Sequence, residues 1–192
     1  MTLPPRPRWF AAVRPTPAEV AAPLPGDDVV PDADVVMDRG FSVEAPAEDV
    51  WPWLVQLGKQ RAGWYLPRSV ERFVPRGRRA THTIENRWQT LKPGVVIPDY
   101  GGRDETFEAV TVDPPHALVY RSRRGRMNIS WAIVLTAPEP GATRVRLRLR
   151  LAPVRRRWLA TTAGEAMDVL TIAGMAAGLR ERLVSTSSSP PH

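Results

Sequence analysis

The strict alternation of arginine and aliphatic residues from Arg144 to Leu151 constrains the fold of this chain more than any other feature. Successive side chains of a β-strand point to opposite faces of the sheet. The segment therefore predicts a strand with its valine and leucines on a core and its arginines in water. A sheet with one wet and one dry face is typical of antiparallel topology.

Three segments before this strand have strand character too, and hairpin-length breaks rich in proline or glycine separate them. The predicted strands are 106–112, 117–122, 128–136 and 143–151. Breaks of this length join neighbouring antiparallel strands. The second half of the chain is therefore predicted to form an antiparallel meander.

A long segment without proline, from about 155 to 184, follows the last strand and predicts a helix. Its apolar residues recur near the helical period: Leu159, Ala163, Met167, Leu170, Ala173 and Ala177. We expect this stripe to lie on the dry face of the sheet. Gly174 and Gly178 predict a close approach of the helix to the sheet, or room beside it. Glu165 and Asp168 could serve as acids in a cavity, but exposure beside Arg156 or Arg180 is the favoured interpretation.

The first half of the chain is less regular. Alternation from Val35 to Val43 predicts a first strand, and Pro46 with the acids after it predicts a short helix ending near Gly58. Residues 1–32 are rich in proline and predict an extended N-terminal arm without a helix. Residues 185–192 predict a disordered tail. The predicted domain therefore spans 33–184.

Composition excludes several classes of function. The chain has no cysteine, which excludes disulfides and thiolate chemistry and is typical of a cytoplasmic protein. The net charge of +7 is scattered over several elements without a recognised motif, so nucleic-acid binding is not expected. The longest apolar run, 169–179, is too short to span a bilayer, so no stable membrane insertion is expected.

The order of these elements, with several local motifs, resembles the START-like (SRPBCC, polyketide cyclase/dehydrase-like) superfamily. The resemblance lies in Leu24–Asp27, the alanine–proline to tryptophan segment Val43–Gly58, Arg61–Tyr65, Trp88–Gly94 and Ser130–Ala132, and is to an uncharacterised bacterial branch. It implies an α+β helix-grip fold, in which a curved antiparallel sheet wraps around a long C-terminal helix and leaves an apolar cavity. Val95 stands where that branch would have an acid.

Aromatic and polar residues alternate in the irregular half of the chain, as in a pocket whose few polar groups orient a ligand. The predicted ligand-binding residues are Gln56, Arg61, Trp64, Tyr65, Trp88, Gln89, Tyr100, Phe107, Tyr120, Met127, Trp131 and Met167. The first hypothesis is a carrier or sensor of a small hydrophobic molecule, such as a lipid, a polyketide or an aromatic metabolite.

The second hypothesis is a cofactor-free cyclase or dehydratase. Tyr65, His82 or Glu85 would move protons, and Arg61 would hold an enolate or carboxylate. The third is a peripheral membrane or interaction module that uses the arginine face and the proline-rich arm. No cofactor motif is present, and the dispersed histidines argue against a metal site. Turnover, ligand identity and oligomeric state stay open.

Overall fold

A six-stranded antiparallel sheet, ordered β1-β6-β5-β4-β3-β2, wraps around a long C-terminal helix in the computed structural model. The structure describes residues 12–155, 158 and 160–187. The strands are β1 (Val35–Val43), β2 (Val96–Pro98), β3 (Thr106–Asp113), β4 (Ala117–Arg124), β5 (Met127–Glu139) and β6 (Ala142–Ala152). The helices are α1 (Pro17–Ala21), α2 (Ala47–Gln56), α3 (Arg68–Glu71) and α4 (Glu165–Ser187). The helix-grip α+β prediction is confirmed.

The observed strands include every predicted one, and the side of β6 that faces the core is the predicted one. Val145 and Leu147 are buried and face the core beneath α4. The predictions missed β2, a three-residue edge strand that ends in Pro98. A strand this short has no period to detect, and proline is tolerated only at a sheet edge.

The C-terminal helix begins later than predicted and presents a different face to the sheet. A π-helical segment, Ala160–Gly164, precedes α4. Met167 and Leu170, predicted to be buried, are 65% and 51% exposed. The buried side chains of α4 are instead Val169, Ile172, Met175, Ala176, Leu179, Arg182 and Leu183. The prediction was wrong for Met167 and Leu170 because this helix is apolar on more than one side, so its period alone does not fix the buried face. Ala173 of the predicted stripe does pack against the core, and Leu159 lies outside the described residues.

The close approach predicted at the two helix glycines is present, but its partner is not the sheet. A Cβ on Gly178 would lie 2.6 Å from the backbone of Leu66, in the irregular segment after α2. A Cβ on Gly174 would lie 2.9 Å from Cδ2 of the same leucine. The small residues therefore let residues 64–67 pass directly over α4.

The arginine face of β6 is not in water, so the prediction of a wet sheet face was wrong. Residues 13–31 cross this face and accept its guanidinium hydrogen bonds. Arg148, only 4% exposed, is 2.8 Å from Asp27 and 2.7 Å from Asp38. Arg150 donates to the carbonyl oxygens of Val30 and Pro31. The N-terminal segment is thus a second layer on the convex side of the sheet.

This covering layer extends from β6 to β5 and β4. The hydroxyl of Ser130 donates to the carbonyl of Gly26 at 2.8 Å. Leu24 packs against Ala117 and Val134 in a small separate apolar cluster. Residues 1–11 of the predicted arm lie outside the described residues, as do 188–192 of the predicted tail, whereas Ser185 to Ser187 end α4.

The covering segment contains a helix, α1, which the proline content had argued against. Pro17 occupies the first helical turn, where its missing N–H costs nothing. Thr16 and Glu19 form a reciprocal capping box. The exclusion of a helix was wrong because proline breaks helix interiors but is well tolerated at helix starts.

Glu19 also makes docking of this layer sensitive to acid. Hydrogen bonds from Arg144, at 2.8 Å, lower the pKa of Glu19 from 4.5 to about 2. A lowered folded-state pKa stabilises the fold above the unfolded value and loses that stabilisation as the pH falls. We expect the stability difference between wild type and Glu19→Gln to shrink from pH 4.5 towards pH 2. Urea unfolding across this range measures it, and a difference independent of pH would contradict the assignment.

Candidate functional site

A cavity of about 430 Å³ lies between the concave face of the sheet and the first turns of α4. It occupies the end of the sheet where β6 ends and β5 begins. Its wall consists of Trp64, Asp99, Tyr100, Gly101, Phe107, Arg124, Met127, Ile129, Trp131, Leu149, Leu151, Asp168, Thr171 and Ile172. Tyr100 is half exposed and marks the mouth.

Aromatic rings in mutual contact form one side of this cavity. Trp131 stacks on Trp64, with 6.1 Å between ring centroids, and lies 5.9 Å from Phe107. Tyr100 meets Trp64 edge to face at 6.3 Å. Trp64 is fixed by its indole N–H, which donates to the carbonyl oxygen of Thr171 on α4. The rings are therefore held in place before any ligand arrives, which suits binding of a flat apolar molecule.

Two ion pairs supply most of the charge in the wall. Arg124 pairs with Asp99, and its Nε lies 3.6 Å from Glu105. The wall residue Asp168, on α4, pairs with Arg39 of β1, whose Nε lies 2.8 Å from its carboxylate and which is not itself in the wall. Each pair joins two separate elements. They place polar groups at the margins of an otherwise apolar space.

Among the residues of the cavity wall, Asp168 has a carboxyl pKa that is shifted from its usual value. Burial raises the pKa of this carboxyl above 3.8, while the charge and hydrogen bond of Arg39 oppose that rise. The expectation that Asp168 would lie in solvent was wrong, because α4 turns this face towards β1. A carboxyl with a raised pKa at a cavity wall can hold or transfer a proton near a ligand.

The structure brings five of the predicted ligand-binding residues together in the cavity wall: Trp64, Tyr100, Phe107, Met127 and Trp131. Tyr120 lies behind them, stacked on Trp131 at 5.7 Å. Burial raises the pKa of the Tyr120 hydroxyl. Met167 lies outside the wall on the exposed side of α4. The aromatic pattern in the sequence thus found much of this wall.

The other predicted residues lie elsewhere and hold the irregular segment onto α2. Gln56 donates to the hydroxyl of Tyr65 at 3.1 Å, and Tyr65 donates to the carbonyl of Trp53. Gln89 donates to the carbonyl of Pro52, and the N–H of Glu85 donates to the Gln56 side chain. These groups are satisfied by the protein itself.

Arg61 and Trp88 belong to the same region. Arg61 donates to the carbonyl oxygens of Val55 and Trp88, at 3.0 and 2.9 Å, and burial lowers the pKa of its guanidinium. The Trp88 ring lies under the guanidinium of Arg87. Neither residue is in the cavity wall.

His82 lies in a third cluster, around a buried arginine of α4. Its Nε2 is 2.7 Å from Glu71, whose other oxygen accepts from Arg182 at 2.6 Å. Arg182 also donates to the carbonyls of Thr81 and Leu66. This network ties α3 and the following loop to α4, away from the cavity.

Three polar wall residues escaped prediction: Asp99, Arg124 and Thr171. Asp99 and Arg124 lie near turn signals typical of exposed loops, and only the fold brings them to the cavity. The alternation in β5 and β6 predicts the buried side of each strand, which includes Ile129, Leu149 and Leu151. These residues were therefore predictable as core, although not as cavity wall.

A second cavity, of about 490 Å³, lies between residues 13–20, β1 and the start of α4. Its wall mixes apolar side chains with Arg14, Asp38, Arg39 and Glu165, and includes no aromatic residue. Within the described ranges, no cluster of three or more potential metal ligands is found. No helix in that part of the chain is long and apolar enough to cross a bilayer.

Comparison with solved structures supports the fold. The chain is similar to protein MLL2253 from Mesorhizobium loti, with 16% identity, 79% of this chain and 98% of that chain covered, and a TM-score of 0.51. It also matches CalU16 from Micromonospora echinospora (14% identity, 80% and 86% covered, TM-score 0.46) and a Thalictrum norcoclaurine synthase mutant in complex with a transition-state analogue (12%, 80% and 96%, 0.48). No family model matches the sequence, and no curated protein matches it significantly.

Proposed function

We propose that this protein binds a small, predominantly apolar molecule with a flat ring system in the cavity between the sheet and α4. The observation that supports this most is the pre-positioned set of Trp64, Phe107 and Trp131, whose rings contact one another along one wall. The volume of about 430 Å³ lies within the range of small-molecule sites. Such a protein would act as a carrier or sensor.

The wall chemistry also favours one orientation of the ligand. The apolar floor consists of strand residues such as Ile129 and Leu149, whereas Asp99 and Arg124 lie beside Tyr100 at the mouth. An apolar ring system would enter first, and a polar substituent would stay near the mouth ion pair, because burying an unpaired polar group costs free energy.

Fluorescence titration with N-phenyl-1-naphthylamine, a neutral aromatic probe, tests the proposal. We expect saturable binding, and we expect Leu149→Trp/Leu151→Trp, which adds two indoles to the cavity wall, to weaken it by at least tenfold. Val70→Trp/Phe73→Trp, at exposed positions on and after α3, is the matched control and should bind as wild type does. Binding unaffected by the cavity variant, or absent from the wild type, would refute the proposal.

A second candidate function is acid–base chemistry on the bound molecule, favoured by the raised pKa of Asp168 at the wall. The proton-moving group would then be a carboxyl on α4. The earlier candidates Arg61, Tyr65, His82 and Glu85 lie outside the cavity wall. Native mass spectrometry of purified protein distinguishes the two functions. A compound that co-purifies unchanged with both wild type and Asp168→Asn supports carriage, whereas one that wild type alone converts supports catalysis.

A further inference from the structure

A loop rich in arginine follows the segment that crosses α4. Residues 67–80, which we call the arginine loop, contain five arginines, all exposed, and a single acid, Glu71, which is buried and pairs with Arg182. Among the described residues, no carboxylate forms an ion pair with the five loop arginines, which are Arg68, Arg72, Arg76, Arg78 and Arg79. The positive charge of the loop is therefore open to a partner.

One buried side chain holds both ends of the arginine loop. Arg182 of α4 donates to the carbonyl oxygens of Leu66, just before the loop, and Thr81, just after it, at 3.2 and 2.8 Å. It also donates to Glu71, inside the loop, at 2.6 Å. The loop is thus fixed to the helix before any partner arrives, which lowers the entropy cost of binding.

The guanidinium groups of the loop lie close together. Arg79 folds back and donates to the carbonyl oxygen of Arg72 at 3.1 Å. The guanidinium of Arg72 lies over the ring of Phe73, 4.6 Å from its centroid. Arg76 and Arg78 occupy the single turn of 3-10 helix between Phe73 and Arg79. Neighbouring cations repel one another, so a partner with negative charge would stabilise this arrangement.

The acids around the end of α4 do not neutralise the arginine loop. Arg180 donates to the carbonyl of Ser42 in β1, whereas Arg182 reaches the loop, because residues two apart project from opposite sides of a helix. On the loop side, Glu181 accepts the backbone N–H of Arg68 at 2.8 Å. The exposed acids that come directly after β1 form no ion pair with the loop within the described part of the chain: Glu44, Glu48 and Asp49.

We propose that the arginine loop docks this protein on an anionic lipid bilayer, with its guanidinium groups on the lipid phosphates and Phe73 in the headgroup region. Arginine binds phosphate through paired N–H donors. Phe73 is 75% and Val70 45% exposed, so apolar side chains lie among the cations. A basic surface with apolar side chains fits the bilayer interface, where phosphates lie above acyl chains. The proposal holds whether or not the cavity binds a ligand.

The surroundings of Phe73 favour a bilayer over a nucleic acid as the partner. Single-stranded nucleic acids bind basic surfaces by stacking their bases on aromatic rings. One face of the Phe73 ring is already covered by Arg72, and residues 67–80 contain no second aromatic residue. In a bilayer, Phe73 and Val70 would instead leave water for the acyl boundary, which is favourable for apolar surface.

Co-sedimentation with vesicles tests the proposal. We expect the full chain to pellet with phosphatidylcholine vesicles that contain phosphatidylglycerol, and to bind at least tenfold more weakly to phosphatidylcholine alone or in high salt. Each arginine near an anionic surface strengthens binding by about fivefold, so Arg76→Gln/Arg78→Gln should weaken binding by at least tenfold. Phe73→Ser should weaken it by at least threefold, because less apolar surface leaves water.

Arg123→Gln/Arg126→Gln is the matched control, since it removes the same charge from exposed positions at the turn between β4 and β5. It should change vesicle binding by less than twofold. All the substituted side chains are exposed, so the variants should fold, which circular dichroism verifies. The proposal is overturned if anionic vesicles do not bind the wild type, if the loop variants bind as the wild type does, or if the control weakens binding equally. Binding of a single-stranded oligonucleotide without binding of vesicles would also overturn it.

Discussion

Replacing Arg148 with alanine should destabilise the protein by about 3 kcal/mol, the largest effect that we expect from any arginine of β6. The guanidinium is buried and held by Asp27 and Asp38, and it also donates to the carbonyls of Val20 and Ala22. Removing one member of a buried ion pair leaves its partners without compensation, which costs roughly 3–5 kcal/mol. The lower value applies because both carboxylates keep some solvent contact.

The pKa of Arg148 supports this expectation. Burial alone would lower it, but hydrogen bonds and charge from Asp38, followed by Asp27, raise it. The folded protein therefore stabilises the charged form of Arg148 more than water does. Urea unfolding monitored by tryptophan fluorescence measures the loss, and thermal unfolding should show a drop of roughly 6 to 12 °C for a chain of this length.

Arg121→Ala is the matched control for this prediction. Arg121 is also an arginine on a strand, and it pairs with Glu108 at 2.8 Å, but both groups face solvent. Exposed pairs contribute little to stability, so the unfolding midpoint should not change. Equal losses for the two variants would mean that the N-terminal layer does not depend on Arg148.

The second large effect is expected at Gly178. Alanine there would place its Cβ 2.6 Å from the backbone of Leu66, which cannot move aside as the end of a side chain can. The gain in helix propensity over glycine, about 1 kcal/mol, offsets only part of the strain. We expect a net loss of about 2 kcal/mol, within the range for overpacked cores, measured by urea unfolding.

Gly174→Ala provides the comparison, because its Cβ would meet only the terminal methyl Cδ2 of Leu66, at 2.9 Å. That methyl can shift by a rotamer change, and the helix gains propensity. The stability of this variant should therefore equal or exceed that of the wild type. If both glycines tolerate alanine equally, the close passage of residues 64–67 over α4 is not rigid.

The sequence predicted the fold best in elements that bury one side and whose periodicity allows only one choice of that side. The alternation in β6 predicted its strand and its buried face because a two-residue period leaves a single choice. The face of α4 was not predictable in this way. Leu170 and Ile172 are equally apolar, and only packing against β1 and residues 64–67 shows which of them is buried.

The covering of the arginine face was hidden for a different reason. Arg148 and Arg150 are bound largely by backbone carbonyls of Val20, Ala22, Val30 and Pro31. Every residue has a backbone carbonyl, so no pattern of side chains in the sequence indicates which carbonyls will accept these hydrogen bonds. The cavity wall was partly predictable because its tryptophan and tyrosine residues are distinctive in the sequence. Asp99 and Asp168, in contrast, resemble ordinary surface acids, and only the fold brings them to the cavity.

The N-terminal layer also sets an order of events during synthesis. Its residues leave the ribosome well before their partners from Arg144 to Arg150, which lie more than 100 positions later, as the pairing of Glu19 with Arg144 shows. Contacts of such separation form late in folding. Residues 13–31 must therefore wait for β6, the last strand of the sheet in chain order, before the guanidinium groups that hold them are present.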